Sequence, residues 1–197
     1  VTGVQTCALP ILLTLHVFVR SSELRFARWS EFDLQRAMWE IPDTRAPIEG
    51  VRNSTRGTKM NGDIQMVPLS PQVIEILERL RSLSRFSELV LPGDHKYWKP
   101  MSENTVNTML RNVGYDTSKD VCGHGFRTMA CSALLESGLW TDAAIERQMS
   151  HKERNRVRAA YIHKAELLEQ RRLIMAWWSN YIDRSEERRV GKECPRC

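Results

Sequence analysis

Apolar positions recur along this chain with two different spacings, and the change from one to the other divides it. Residues 8–19 form a dense apolar run, interrupted by Pro10 and His16 and followed directly by Arg20. The run is too short for a membrane span, which needs about 18 apolar residues. It could pass for the core of a signal peptide, but no basic leader precedes it, and a buried helix ending over residues 12–19 is expected. Residues 23–28 predict a short helix behind a Ser21-Ser22 cap. Residues 29–34 and 37–41 then read as two strands joined by a turn around 33–36, with a third strand over 64–69. Between them, residues 42–63 are rich in Pro, Gly, Arg and Asn and predict a long loop able to clamp a ligand.

Helical spacing returns from Ser70 onward. Ser70 as cap and Pro71 at the first helical position open a helix to about Ser84, with Val73, Ile74, Leu77 and Leu80 on one face. A short extended piece is expected at 89–91. Ser102 is expected to cap a helix to about Asn112, with Val106, Met109, Leu110 and Val113 facing inward. Further helices are predicted over 123–136, closed by Gly138, over 142–149 behind Thr141, over 155–161 and over 165–181. The expected fold is mainly α with a small antiparallel β-sheet.

Composition narrows this only modestly. The chain has 197 residues, 42% apolar and 27% charged, enough for one domain with a core. A net charge of +5 leans toward a polyanionic partner, although proteins that bind no nucleic acid share such an excess. Five scattered cysteines argue against a disulfide framework and for a reducing compartment. Cys194-Pro195-Arg196-Cys197 has zinc-knuckle spacing without a second pair nearby, so no metal site is expected. The two ends, residues 1–10 and 184–197, read as non-native tails resembling translated adapter sequence, and are expected to pack poorly around a domain at 11–183.

Chemistry-bearing residues fall into a few clusters: Arg20-Ser21-Ser22-Glu23-Leu24, Lys59, His124-Gly125-Phe126-Arg127, His151 and Tyr161. Two arginines can hold a phosphate through paired N–H donors, a lysine and histidines can move protons, and a tyrosine can attack phosphorus. At a helix start, His124 and Arg127 share a face and sit where an anion is favoured. Taken singly, each residue has a plainer reading: a surface arginine, a capping histidine, a solvated loop lysine, a core tyrosine. His16 and His163 read as structural, and Tyr97, Tyr115 and Tyr181 as packing residues. No phosphate-binding glycine loop and no carboxylate cluster suited to magnesium is present, so no cofactor is expected.

The order of these clusters resembles the tyrosine recombinases, specifically satellite-phage-type prophage integrases, over roughly residues 12–183. Arg20 takes the position of the first arginine in the family's R-x-x-E-L. Ser21-Ser22 stands where the subtype usually has Pro-Gly, which alters the turn and not the phosphate ligand. Lys59, in Thr58-Lys59-Met60, resembles the family's hairpin lysine, able to protonate a departing 5′ oxygen. Met149-Ser150-His151 fits the second histidine, where leucine-glycine-histidine is frequent, and Tyr161 follows it at the family interval. Glu23 is expected as a buried partner of arginine rather than a base.

The resemblance implies a catalytic domain, truncated at its N-terminus, that cleaves and rejoins DNA through a 3′-phosphotyrosyl link. The site set it implies is Arg20, Lys59, His124, Arg127, His151 and Tyr161. It implies double-stranded attachment-site DNA as partner, a homo-tetramer on DNA for the full-length protein, accessory DNA-bending proteins, and the cytoplasm of a bacterial host. Rival readings are a prophage remnant that binds DNA without cutting it, a type IB topoisomerase, and a helical interaction domain with incidental surface cations.

Overall fold

The computed structural model describes residues 2–58, 64–84, 86–151 and 167–192, with side chains described within 8–185 of these. Helix α1, Thr2–Val17, is the hub. It touches α3 (Pro71–Leu83), α4 (Thr105–Asn112), α5 (Gly125–Ser137) and the long final helix α7 (Leu168–Lys192). Its dense apolar run explains this position. Leu9, Leu13 and Val17, spaced four apart, form one fully buried stripe, and Ile11, Leu12 and Leu15 on the flanking faces are partly buried against the same core. The predicted helix over 12–19 is thus the end of a longer one that includes Leu9, a core residue within the segment expected to pack poorly, and it turns at Phe18 into an extended Arg20.

Short helix α2 (Ser21–Arg25) follows, with Arg20 as its N-cap rather than the serines. The Glu23 carboxylate accepts the Arg20 backbone N–H at 2.9 Å and takes over the capping role. A 3-10 turn at Trp29–Glu31 leads into a three-stranded antiparallel sheet: β1 (Phe32–Asp33), β2 (Met38–Ile41) and β3 (Gln65–Pro68), in that order. The first predicted strand shrinks to two residues because 29–31 coil instead, seating Trp39 Nε1–H on Glu31 Oε2 at 2.9 Å. Register is set by Phe32 opposite Trp39, whose rings stack at 4.9 Å, and by Trp39 opposite Val67.

The loop after β2 returns on itself. Thr58 N–H donates to Pro42 O at 2.8 Å and Gly57 N–H to Asp43 O at 3.1 Å. A Cβ at Gly57 would stand 1.8 Å from Pro42 O, so only glycine permits this approach. Buried Arg45 fastens the same loop, pairing with Glu31 at 2.6 Å and donating to Arg56 O at 2.9 Å.

Helix α3 starts as its sequence demands, with Ser70 Oγ accepting from Val73 N at 3.3 Å and Pro71 first in the helix. Its buried face is Val73, Ile76, Leu77 and Leu80; Ile74 sits at the margin. Helix α4 starts at Thr105, three residues after the expected cap, because Ser102 turns the chain instead, accepting Thr105 N–H through its carbonyl. Val113, expected inward, is exposed just past the end of α4. Gly138 closes α5 in the left-handed region at φ 64°, and Thr141 caps α6 (Asp142–Gln148). Tyr97, Tyr115 and Tyr181, expected as packing residues, are each more than a third exposed, although Tyr181 stacks on Trp177 and Trp178 and Tyr97 meets Trp98 edge-on. The expected helix at 155–161 and the residues Lys59, Tyr161, His163, Cys194 and Cys197 lie outside the described residues.

A buried polar chain crosses the core: His16 Nδ1 meets Ser179 Oγ at 2.9 Å, and Ser179 Oγ meets Ser70 Oγ at 2.7 Å. It ties α1, α7 and the cap of α3 together. Burial pushes the His16 pKa below its ordinary 6.5, opposed in part by Asp183. Below that ordinary value the unfolded chain takes up a proton that the folded chain resists. Stability contributed by neutral His16 is therefore present at neutral pH and is lost on acidification. Thermal melts between about pH 7 and about pH 5 should show a falling Tm, with a shallower slope in His16→Gln. An unchanged slope would show that His16 is not the group responsible.

Candidate active site

Two arginines from distant parts of the chain come to rest on consecutive carbonyls. Arg20, at the start of α2, donates from Nη2 to Ser150 O at 2.7 Å and from Nη1 to Ser150 Oγ at 3.1 Å. Arg127, in the first turn of α5, donates from Nη2 to Met149 O and from Nη1 to Phe18 O at 3.0 Å. The segment 149–150 after α6 and the segment 18–20 after α1 thus face each other, with both guanidinium groups between them. Phe18 is held by the core, its ring meeting Trp178 edge-on at 6.1 Å, and Trp178 Nε1–H donates to Leu15 O at 2.9 Å.

Two of the three carbonyls used here belong to strained residues. Phe18 has φ 36° and Ser150 φ 50°, in the left-handed region that a side chain disfavours. Such conformations persist only where the surroundings hold them, and they gather at functional sites. Here the strain turns the carbonyls of Phe18 and Ser150 toward the arginines.

Electrostatics make the pair receptive to an anion. Arg127 is 5% exposed, and its pKa is lowered to about 10, first by burial and next by repulsion from Arg20. Glu23 opposes this in part: it is fully buried and pairs with Arg20 Nη1 at 3.0 Å. The carbonyl, hydroxyl and carboxylate contacts occupy three of the five N–H donors of Arg20 and two of those of Arg127. The remaining donors can serve a phosphate, whose charge would also relieve the repulsion.

His151 follows Ser150 directly and is exposed. Its Nδ1 pairs with Glu146 Oε2 at 2.8 Å, which leaves Nε2 for a ligand. His124 is the N-cap of α5, one helical turn before Arg127, and is also exposed. Four of the six expected site residues are therefore described, and Arg20, Arg127 and His151 gather on residues 149–151, while His124 stands at the helix turn that carries Arg127. Among the described residues no cluster of His, Cys, Asp and Glu is arranged to hold a metal ion. A cleft of about 570 Å³ lies elsewhere, with Arg28, Trp29 and Arg81 in its walls.

Sequence reasoning missed Arg45, Gln148 and Arg171, all buried and all hydrogen-bonded around this site. Arg45 donates to Glu23 O at 3.2 Å. Nothing in the local pattern distinguishes these residues from solvated ones, and only their burial reveals them.

A sequence model described as the phage integrase family matches residues 4–167. The chain belongs to the phage integrase family. It is 57% identical over 190 residues to the putative protein IntB of Escherichia coli (strain K12), covering 96% of this chain and 48% of that protein. It is also 57% identical over 181 residues to the integrase of Enterobacteria phage P4, covering 92% of this chain and 41% of that protein. This phage integrase family chain thus spans less than half the length of these two relatives. Its fold matches that of an integrase from mycobacterium phage Brujita, with a TM-score of 0.58 at 17% identity over 86% of this chain and 50% of that one. It also matches the Tn1549 transposon integrase in complex with transposon right end DNA, with a TM-score of 0.58 at 13% identity over 76% of this chain and 52% of that one. The fold is therefore that of the integrase catalytic domains, mainly helical with a small antiparallel sheet. Among the described residues no helix is long and apolar enough to cross a membrane.

Proposed function

We propose that this chain is the catalytic domain of a site-specific DNA recombinase, acting on double-stranded attachment-site DNA in the bacterial cytoplasm. The observation that carries the reading is the meeting of Arg20 and Arg127 on the adjacent carbonyls of Ser150 and Met149, in a member of the phage integrase family.

In this reading Arg20 and Arg127 hold the non-bridging oxygens of one phosphodiester, and His151 Nε2 contacts the same group. The Tyr161 phenol oxygen attacks phosphorus in line with the 5′ oxygen. The P–O bond to the 5′ carbon's oxygen breaks as the P–O bond to Tyr161 forms, giving a 3′-phosphotyrosyl link. Lys59 delivers a proton to the departing oxygen, which leaves as a 5′-hydroxyl, and His124 takes part in moving the phenolic proton. A 5′-hydroxyl from another strand then reverses the step, so the bond energy is retained and no nucleotide is consumed. Phosphate contacts position the protein without reading sequence. Site choice in the full-length protein is assigned to parts outside this chain, with a homo-tetramer on DNA and accessory bending proteins completing the assembly.

A duplex nicked just past the cleavage position tests this. Loss of the short 5′-hydroxyl fragment prevents religation, so the chain should accumulate as a covalent complex whose DNA-bearing peptide contains Tyr161. Salt-sensitive binding without any covalent complex would instead establish a non-cutting DNA-binding remnant.

A further inference from the structure

The carbonyls that seat both arginines follow directly on Gln148, the last residue of α6, and Gln148 is itself held from behind. Its side chain is 1% exposed, and Oε1 accepts Arg171 Nε–H at 2.9 Å. Arg171, on α7, is equally buried and donates from Nη2 to Met66 O on β3. The Gln148 carbonyl accepts Gln65 Nε2–H at 3.5 Å, and Gln65 Oε1 accepts the Thr58 hydroxyl at 3.3 Å. One buried polar chain therefore runs from the base of the 42–58 loop through β3 and α7 to the end of α6.

A buried guanidinium is expensive in desolvation, and apolar side chains of like volume commonly serve stability as well or better. Its place here has a specific consequence. Ser150, two residues past Gln148, sits at φ 50°, a conformation that relaxes unless its neighbours hold it.

We propose that Gln148 and Arg171 are positioning residues for the arginine pair. Arg171, seated on β3, fixes Gln148, and Gln148 fixes the turn whose Met149 and Ser150 carbonyls place Arg127 and Arg20. The inference rests on the recombinase reading for its catalytic consequence, and on the hydrogen bonds above for its structural one.

Gln148→Met removes the acceptor for Arg171, whereas Gln148→Glu keeps it. Single-turnover cleavage of the nicked duplex should fall by about 10²-fold in Gln148→Met, the scale of an ångström-level misplacement, with DNA affinity unchanged. Gln148→Glu should stay close to the parent. A duplex with a methylphosphonate at the scissile position carries no charge for the arginines to neutralise, so on it the Gln148→Met defect should largely disappear. An equal loss on both substrates would mean general destabilisation and would overturn the proposal. Arg171→Lys keeps charge and stem but lacks the fork to reach both Gln148 and Met66, and should behave as Gln148→Met does. A readout without catalysis separates this inference from the recombinase reading. The Arg20 and Arg127 guanidinium NMR signals, protected by their carbonyl contacts, should broaden or shift in Gln148→Met. Signals unchanged from the parent would refute the positioning role even if the parent chain cuts no DNA.

Discussion

Tyr161→Phe should form no covalent DNA adduct on the nicked duplex while binding it with unchanged affinity. The change removes one oxygen, the atom assigned to attack phosphorus, and leaves the ring. A phenol with a pKa near 10 is ionised in only about one molecule in a thousand at neutral pH, so its attack depends on a phosphate already neutralised. That dependence links the tyrosine to the arginine pair: without two cations on the non-bridging oxygens, approach of the phenolate is repelled. Denaturing gel electrophoresis of parent and variant with labelled DNA measures the outcome. An adduct recovered from pure Tyr161→Phe protein would transfer the nucleophile's role to another residue and remove the main assignment made for this chain.

Arg127→Ala should lower the cleavage rate by about 10²–10³-fold, the usual loss on removing one preorganised donor from a developing charge. The accompanying change in stability is a balance. Removing a desolvated cation, already pushed down toward a pKa of about 10 and repelled by Arg20, is favourable. Against that, Phe18 O and Met149 O lose their guanidinium donor, and each buried acceptor left bare costs about 1–3 kcal/mol. A modest fall in Tm beside a large fall in rate is the expected result. Arg127→Lys should rescue little, because an ammonium cannot span both carbonyls and a phosphate as the planar fork does. A variant that keeps its rate would show that Arg127 is only a strut between α5 and the 149–150 turn.

Local chemistry made much of the fold legible. Ser70-Pro71 opened α3, Thr141 capped α6 and Gly138 ended α5, because each stop or start is settled by one or two side chains acting on their own backbone. Expectations that depended on what lay opposite were less secure. Ile76 rather than Ile74 completes the buried face of α3, and Ser102 begins a turn rather than a helix. Val113 is exposed and Tyr97, Tyr115 and Tyr181 are only partly covered, since apolar character alone does not say where the core is.

The candidate site divided in the same way. Arg20, Lys59, His124, Arg127, His151 and Tyr161 stood out by residue type, order and resemblance, and Glu23 was expected as a buried partner of arginine. Arg45, Gln148 and Arg171 did not stand out, because a buried polar residue and a solvated one look alike along a chain.

The chain's own order of residues determined the helix caps and stops and the mainly helical class, and it singled out the arginines, histidines and tyrosine proposed for the site. Only tertiary structure brought Arg20 within hydrogen-bonding distance of Ser150, 130 positions away, and seated Arg127 beside it. The reason is physical. Caps and turns act over a few residues and leave a local signature, whereas the strain at Phe18 and Ser150, the burial of Arg127 and its repulsion by Arg20 exist only once distant segments are packed together.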